Sequence, residues 1–241
     1  MSSLPLLAFS FPAALAALLG APAAAPARPR PAGIYYEQVT TVSAEGEPAG
    51  PGVHSRVWFA GRQVRLESGG EGAEAGGTAL ILRLDEGTAF RLDPAERTAE
   101  RLDLEALRAQ SRSDSALAGE LMGAGEPGAV RTASLPAKTV AGYPCRGFRL
   151  RSGAAVVDVY TTTEVPVRME AFAELLEWTG AAEALAGLWD EMRKLPGFPL
   201  ETRARVDVLG DVQETVSTVT RVRVGAVPAA KFELPAGYRV R

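Results

Sequence analysis

From Ile34 onward the chain alternates in steps of two between side chains that suit a packed face and side chains that suit water. That period belongs to a pleated strand, whose successive side chains point to opposite faces, so an all-helical fold is excluded before composition is considered. Tyr35, Glu37, Val39 and Thr41 share one face of a first strand and Tyr36, Gln38 and Thr40 the other, and Tyr, Val and Thr all favour a pleated surface. Residues 56–59 and 63–67 flank Ala60-Gly61-Arg62, where a glycine in a short connection predicts a hairpin. A meander follows through 79–84, 88–92 and 98–102, turning at Asp85-Glu86-Gly87 and Asp93-Pro94-Ala95. Asp early, Pro second and Gly late are the positions that turn sterics favour. Further strands are expected at 130–135, 145–150, 154–161, 200–209 and 212–224.

The period changes in two places. Residues 104–122 read as partly helical, with Ser111 to Ser115 as an interruption. Residues 169–194 follow the i, i+3, i+4, i+7 rule of an amphipathic helix through Phe172, Leu175, Leu176, Leu185, Leu188, Trp189 and Met192, with a kink or break at Gly180 and a stop at Pro196-Gly197. The expected fold is therefore mainly β with one long helix (α+β): a curved antiparallel sheet of nine to eleven strands covered by a helix. No internal repeat and no strong shift of composition divides residues 34–241, which points to one domain.

Residues 1–27 contain no Lys, Arg, Asp or Glu, and 4–20 form an apolar run broken only by Pro5, Ser10 and Pro12, as in the core of a signal peptide. Ala21 with Ala23 and Ala25 with Ala27 give two A-x-A sites, placing the mature start between Ala24 and Arg28. The competing reading is an uncleaved anchor, for which the run is shorter than the ~20 residues a span needs. Residues 28–33, punctuated by Pro29 and Pro31, read as an extended tether. A periplasmic or secreted location is expected.

One His and one Cys in 241 residues restrict the chemistry, because zinc sites and nucleophile–base pairs need a His and usually a precise partner. His54 reads as a solvated loop residue and Cys145 as a strand thiol with no disulfide partner and no activating base. Asp85/Glu86 and Asp190/Glu191 are adjacent acids of the kind that line solvated turns and helix faces, so a carboxylate-based hydrolase is set aside. The Gly-rich run at 69–72 lacks the Lys-Ser/Thr of a phosphate loop. A net charge of −3 without a basic run removes the footprint of nucleic-acid binding. No catalytic residue, metal ligand or cofactor is expected. A curved sheet under one helix tends to enclose more volume than its side chains fill, so Phe172, Leu176, Trp178, Leu185, Trp189 and Met192 of the helix are the candidate lining of a ligand cavity, together with Trp58. An ordinary filled core is the other reading of the same stripe.

Several segments carry a resemblance. They are Trp58-Phe-Ala-Gly-Arg-Gln-Val-Arg65, the Asp-turn meander from Leu84-Asp-Glu-Gly to Leu92-Asp-Pro, Gly142-Tyr-Pro-Cys-Arg-Gly-Phe148, Gly197-Phe-Pro-Leu200 and Phe232-Glu-Leu-Pro-Ala-Gly-Tyr238. In this order they resemble an uncharacterised bacterial envelope family, a domain of unknown function that shares the half-barrel fold of the lipoprotein carrier LolA. The resemblance implies a half-barrel with an apolar cavity that takes a lipid, an acyl chain or a lipidated protein, a peripheral contact with the envelope, and no catalytic residues. The rival expectation is an envelope structural or protein-interaction module whose concave face is filled by its own side chains.

Overall fold

The computed structural model describes residues 33–48, 50–69, 77–106, 109, 130–153, 155–167, 186–208 and 211–241. The expected signal peptide, the tether up to residue 32, most of the 104–122 segment and residues 168–185 of the expected helix lie outside the described residues.

The period-two segments form strands: β1 (Gly33–Ala44), β2 (Glu47–Pro48), β3 (Val53–Ala60), β4 (Gln63–Gly69), β5 (Thr78–Arg83), β6 (Thr88–Asp93), β7 (Thr98–Asp103), β8 (Arg131–Val140), β9 (Tyr143–Ser152), β10 (Ala155–Thr162), β11 (Phe198–Val208), β12 (Asp211–Gly225) and β13 (Arg239–Val240). Among the described residues the sheet holds thirteen strands, above the nine to eleven expected, and β2 and β13 at two residues each are too short for a period to register. The expected long helix is described only as Ala186–Met192, seven residues, its earlier part being outside the described residues.

Across the sheet the order is β13-β7-β6-β5-β4-β3-β1-β12-β11-β10-β9-β8, with β2 folded back on β1. Two up-and-down meanders, β3 to β7 and β8 to β12, meet at β1, which pairs antiparallel with β3 on one side and β12 on the other. The turns are made as their side chains dictate. Ala141-Gly142, between β8 and β9, takes φ of 51° and 84°, the mirror-type turn whose twist suits a hairpin. Asp93 Oδ1 accepts from the backbone N–H of Ala95 and of Glu96. Asp103 does the same for Glu105 and Ala106 and so caps the helical turn that opens at Leu104.

The sheet is open and curved. Four strand spacings separate β8 from β12, which in a flat sheet is about 19 Å, yet their Cα atoms come within 8 Å. The curl also lets the two meanders share one apolar cluster: Val57, Val64, Leu82 and Ala89 from one, Val140, Cys145, Phe198 and Leu200 from the other, with Tyr36 of β1 among them. The Tyr36 and Phe198 rings meet edge-on at 5.5 Å. On the convex side a different cluster, Ala79, Ile81, Leu92 and Ala99, is covered by Leu234 and Tyr238 of the C-terminal segment. Arg83 Nε donates to the Phe232 carbonyl at 2.9 Å, and β13 adds parallel to β7, which closes that edge against further pairing.

Candidate functional site

Trp189 and Met192 stand one turn apart on the short helix and pack, with Leu188 and Leu195, on Leu150, Val157 and Val159 of β9 and β10. The register places this patch on the concave face. Tyr36 and Thr40 share a face of β1, and directly paired residues share a face across strands, so the chain of pairs Thr40–Ser217, Ser217–Thr202 and Thr202–Val159 carries that face over to β10. Leu188, Trp189 and Met192 are only 3–5% exposed, so the described part of the helix seals the sheet beneath it. The Trp189 indole N–H is buried there without a hydrogen-bond partner among the described residues. Phe172, Leu176, Trp178 and Leu185 lie outside the described residues.

Trp58 does not join them. Its neighbours Val57 and Phe59 enter the core, so Trp58 faces the convex side. There the register builds two parallel rows across β12, β1, β3 and β4. One runs Arg221, Glu37, Arg56, Glu67 and the other Arg223, Tyr35, Trp58, Arg65. The first alternates in charge: Arg221 pairs with Glu37 at 3.3 Å and Arg56 with Glu67 at 3.0 Å. In the second, the Tyr35 and Trp58 rings lie 5.0 Å apart, tilted by 40°, and Lys231 from the C-terminal segment sets its ammonium 4.4 Å over the Trp58 ring. A cavity of about 380 Å³ opens between Tyr35, Trp58, Arg221, Arg223 and the chain at 224–228, and a second of about 490 Å³ continues past Tyr35 and Glu37 toward Arg56, Arg65 and Tyr238.

The electrostatics follow from these contacts. The Tyr35 hydroxyl donates to Glu37 Oε1 at 2.7 Å. Loss of water around Tyr35, then the hydrogen bond to Glu37 and its charge, push the phenol up to about 12. The same hydrogen bond, helped by Arg221, holds the Glu37 carboxyl below the usual carboxylate range. Because the folded state binds the Tyr35 proton more tightly than the unfolded chain, this contribution to stability is whole below about pH 10 and is lost as pH rises toward 12. Alkaline absorbance titration should therefore contain a component with a midpoint near 12 that is missing in Tyr35→Phe. A normal midpoint for that component would show that Glu37 does not hold the hydroxyl.

The remaining candidates are plain. Cys145 is a buried free thiol whose Sγ–H reaches the Tyr143 carbonyl at 3.4 Å, and burial pushes it up, away from the thiolate. His54 is exposed on β3. Glu86, Asp190 and Glu191 pair with Arg83, Arg193 and Lys194 on the surface, and Asp85 accepts from Gln63. Among the described residues no group of three His, Cys, Asp or Glu side chains is placed to hold a metal ion. The convex rows escaped the sequence reading because each strand supplies only an alternate pair, 35/37, 56/58, 65/67 and 221/223, which reads as an ordinary solvated face until the strands are ordered.

Residues 47–238 match the family model described as Domain of unknown function (DUF4412). The chain belongs to this family. The match begins at β2 and ends just before β13, so the central strand β1 lies ahead of the DUF4412 region. No curated protein matches the chain. Among solved structures it is similar to PNGF-II (11% identity, TM-score 0.36, 86% of this chain and 30% of that one). It is also similar to the MucA/MucB complex of Pseudomonas aeruginosa (12%, TM-score 0.41, 86% and 56%). A third is a putative outer membrane lipoprotein-sorting protein domain from Vibrio parahaemolyticus (10%, TM-score 0.33, 83% and 89%). The chain thus spans about a third of PNGF-II and just over half of the MucB complex chain.

Proposed function

We propose that this chain is an exported, non-enzymatic binding protein of the cell envelope whose hydrophobic ligand, an acyl chain or a lipidated protein, enters between the helix Ala186–Met192 and the concave face of β9 and β10. The observation that carries the reading is the Trp189 patch. The helix rests on the sheet through Leu188, Trp189 and Met192, with Leu195 just past its end, all apolar contacts without direction, and the indole N–H is buried there without an acceptor among the described residues. An orphaned buried donor costs about 1–3 kcal/mol, so part of the packing energy of this cover is offset, and a ligand that slips beneath it lies between Trp189 and an apolar floor of Leu150, Val157 and Val159. Of the adjacent acids, Glu86, Asp190 and Glu191 stand against cations and Asp85 against Gln63 rather than against one another, which favours binding over hydrolysis. The uncharged apolar start of the sequence supports export.

A second reading has its own observation: the patch is filled in this structure, with Trp189 and Met192 each 5% exposed, as in a structural or protein-interaction module. Fatty-acid affinity and the urea midpoint separate the two. On the binding reading a fluorescent fatty acid binds the wild type, and Trp189→Ala weakens it at least tenfold. An unbound wild type, together with a stability loss of about 3–5 kcal/mol in Trp189→Ala, would replace this reading by the filled-core one.

A further inference from the structure

We infer that the convex groove at Tyr35 and Trp58 is a binding site for an organic anion, whose phosphate or carboxylate meets Arg223 and whose body lies on the two rings. The site is on the opposite face of the sheet from the helix and is independent of the acyl-chain reading.

The argument begins with charge. The chain carries −3 overall, yet the groove beside the Tyr35–Trp58 pair is lined by two arginines, Arg221 and Arg223, against one carboxylate, Glu37, with the Lys231 ammonium over the Trp58 ring. That carboxylate is already engaged by the Tyr35 hydroxyl and by Arg221. Arg223 is exposed, stands directly beside Tyr35 on β12, and has no ion pair among the described residues. A guanidinium presents its donors as a fork that fits the two oxygens of a carboxylate or phosphate.

The floor is set in place before any ligand arrives. Tyr35 is tied to Glu37 by its hydroxyl, and Trp58 is held between Tyr35 and the Lys231 ammonium. The chain at 224–228, anchored by buried Val227, forms the wall. About 380 Å³ between wall and floor is more than an isolated oxyanion fills and falls within the lower range of small-molecule sites, which is why the rings are assigned to an organic body. Glycerol- and sugar-sized phosphates fit this description, whether free in solution or as the headgroup of an anionic lipid.

Calorimetric titration with glycerol 3-phosphate, and co-sedimentation with phosphatidylglycerol or phosphatidylcholine vesicles, test the site on the full chain. Binding to the soluble probe, to the phosphatidylglycerol vesicles, or to both is expected, with none to phosphatidylcholine. Arg223→Gln should weaken it at least tenfold, about 1.4 kcal/mol, at an unchanged urea midpoint. Arg205→Gln, which removes an exposed arginine paired with Glu214 farther along the sheet, should leave it unchanged. Binding to vesicles alone identifies the anion as a lipid headgroup, and binding to the soluble probe identifies it as a free small molecule. Absence of both, or equal losses in Arg223→Gln and Arg205→Gln, would overturn the assignment, the second result marking mere attraction between opposite charges.

Discussion

Replacing Phe198 by alanine should lower the free energy of unfolding by about 3–5 kcal/mol, the range for a fully buried aromatic whose space the surroundings cannot refill. Phe198 is 1% exposed and opens β11, where the cluster shared by the two meanders is most densely aromatic. Its ring fills the angle against Tyr36, so truncation removes the edge-on contact and leaves a void beside the buried Tyr36 ring. Phe198→Leu keeps most of the volume and should cost markedly less. Urea unfolding of the two variants checks this, and a loss below about 1 kcal/mol for Phe198→Ala would mean that the meanders are not held together here.

A second large effect is expected one residue earlier. Gly197 has φ of +85°, a conformation in which an L side chain is strained, and a Cβ built on it would sit 2.2 Å from the Thr162 carbonyl oxygen. That oxygen belongs to β10, the strand that β11 pairs with, so relief requires the two backbones to separate at the start of their ladder. The backbone conformation alone costs of the order of 1–3 kcal/mol, and the overlap adds to it. Gly87→Ala isolates the first component, because Gly87 has φ of +64° with nothing near its missing Cβ. Thermal unfolding should place Gly197→Ala well below Gly87→Ala, and equal losses would refute the close approach.

The strands were legible because their signal is local. Alternation at 35–41, 56–59 and 63–67 and turn chemistry at Gly61 and Asp93 each depend on a few adjacent residues, and the structure forms strands and turns at those places. The two-residue strands were not legible, since β13 exists only because Arg239 and Val240 find the free edge of β7. Trp189 and Met192 follow from helical spacing, and they do share one patch. Trp58 stands on the other face, because its side is decided by whether Val57 or Trp58 faces the core, a parity that only the pairing of β3 with β1 and β4 settles.

By itself, then, the sequence determined a mainly β chain with antiparallel meanders, a helix ending before Pro196-Gly197, and a single cysteine placed on a strand. The tertiary structure decided the rest through pairings that no local window contains. Tyr35 stands beside Arg223 and Glu37 beside Arg221 because β1 inserts between strands from the two ends of the chain. The physical reason is that backbone hydrogen bonding is indifferent to which strands are joined. Burial of Ile34, Tyr36, Val57 and Phe59 on one face selects the partner and the register, and the convex row of charges and rings follows from that choice.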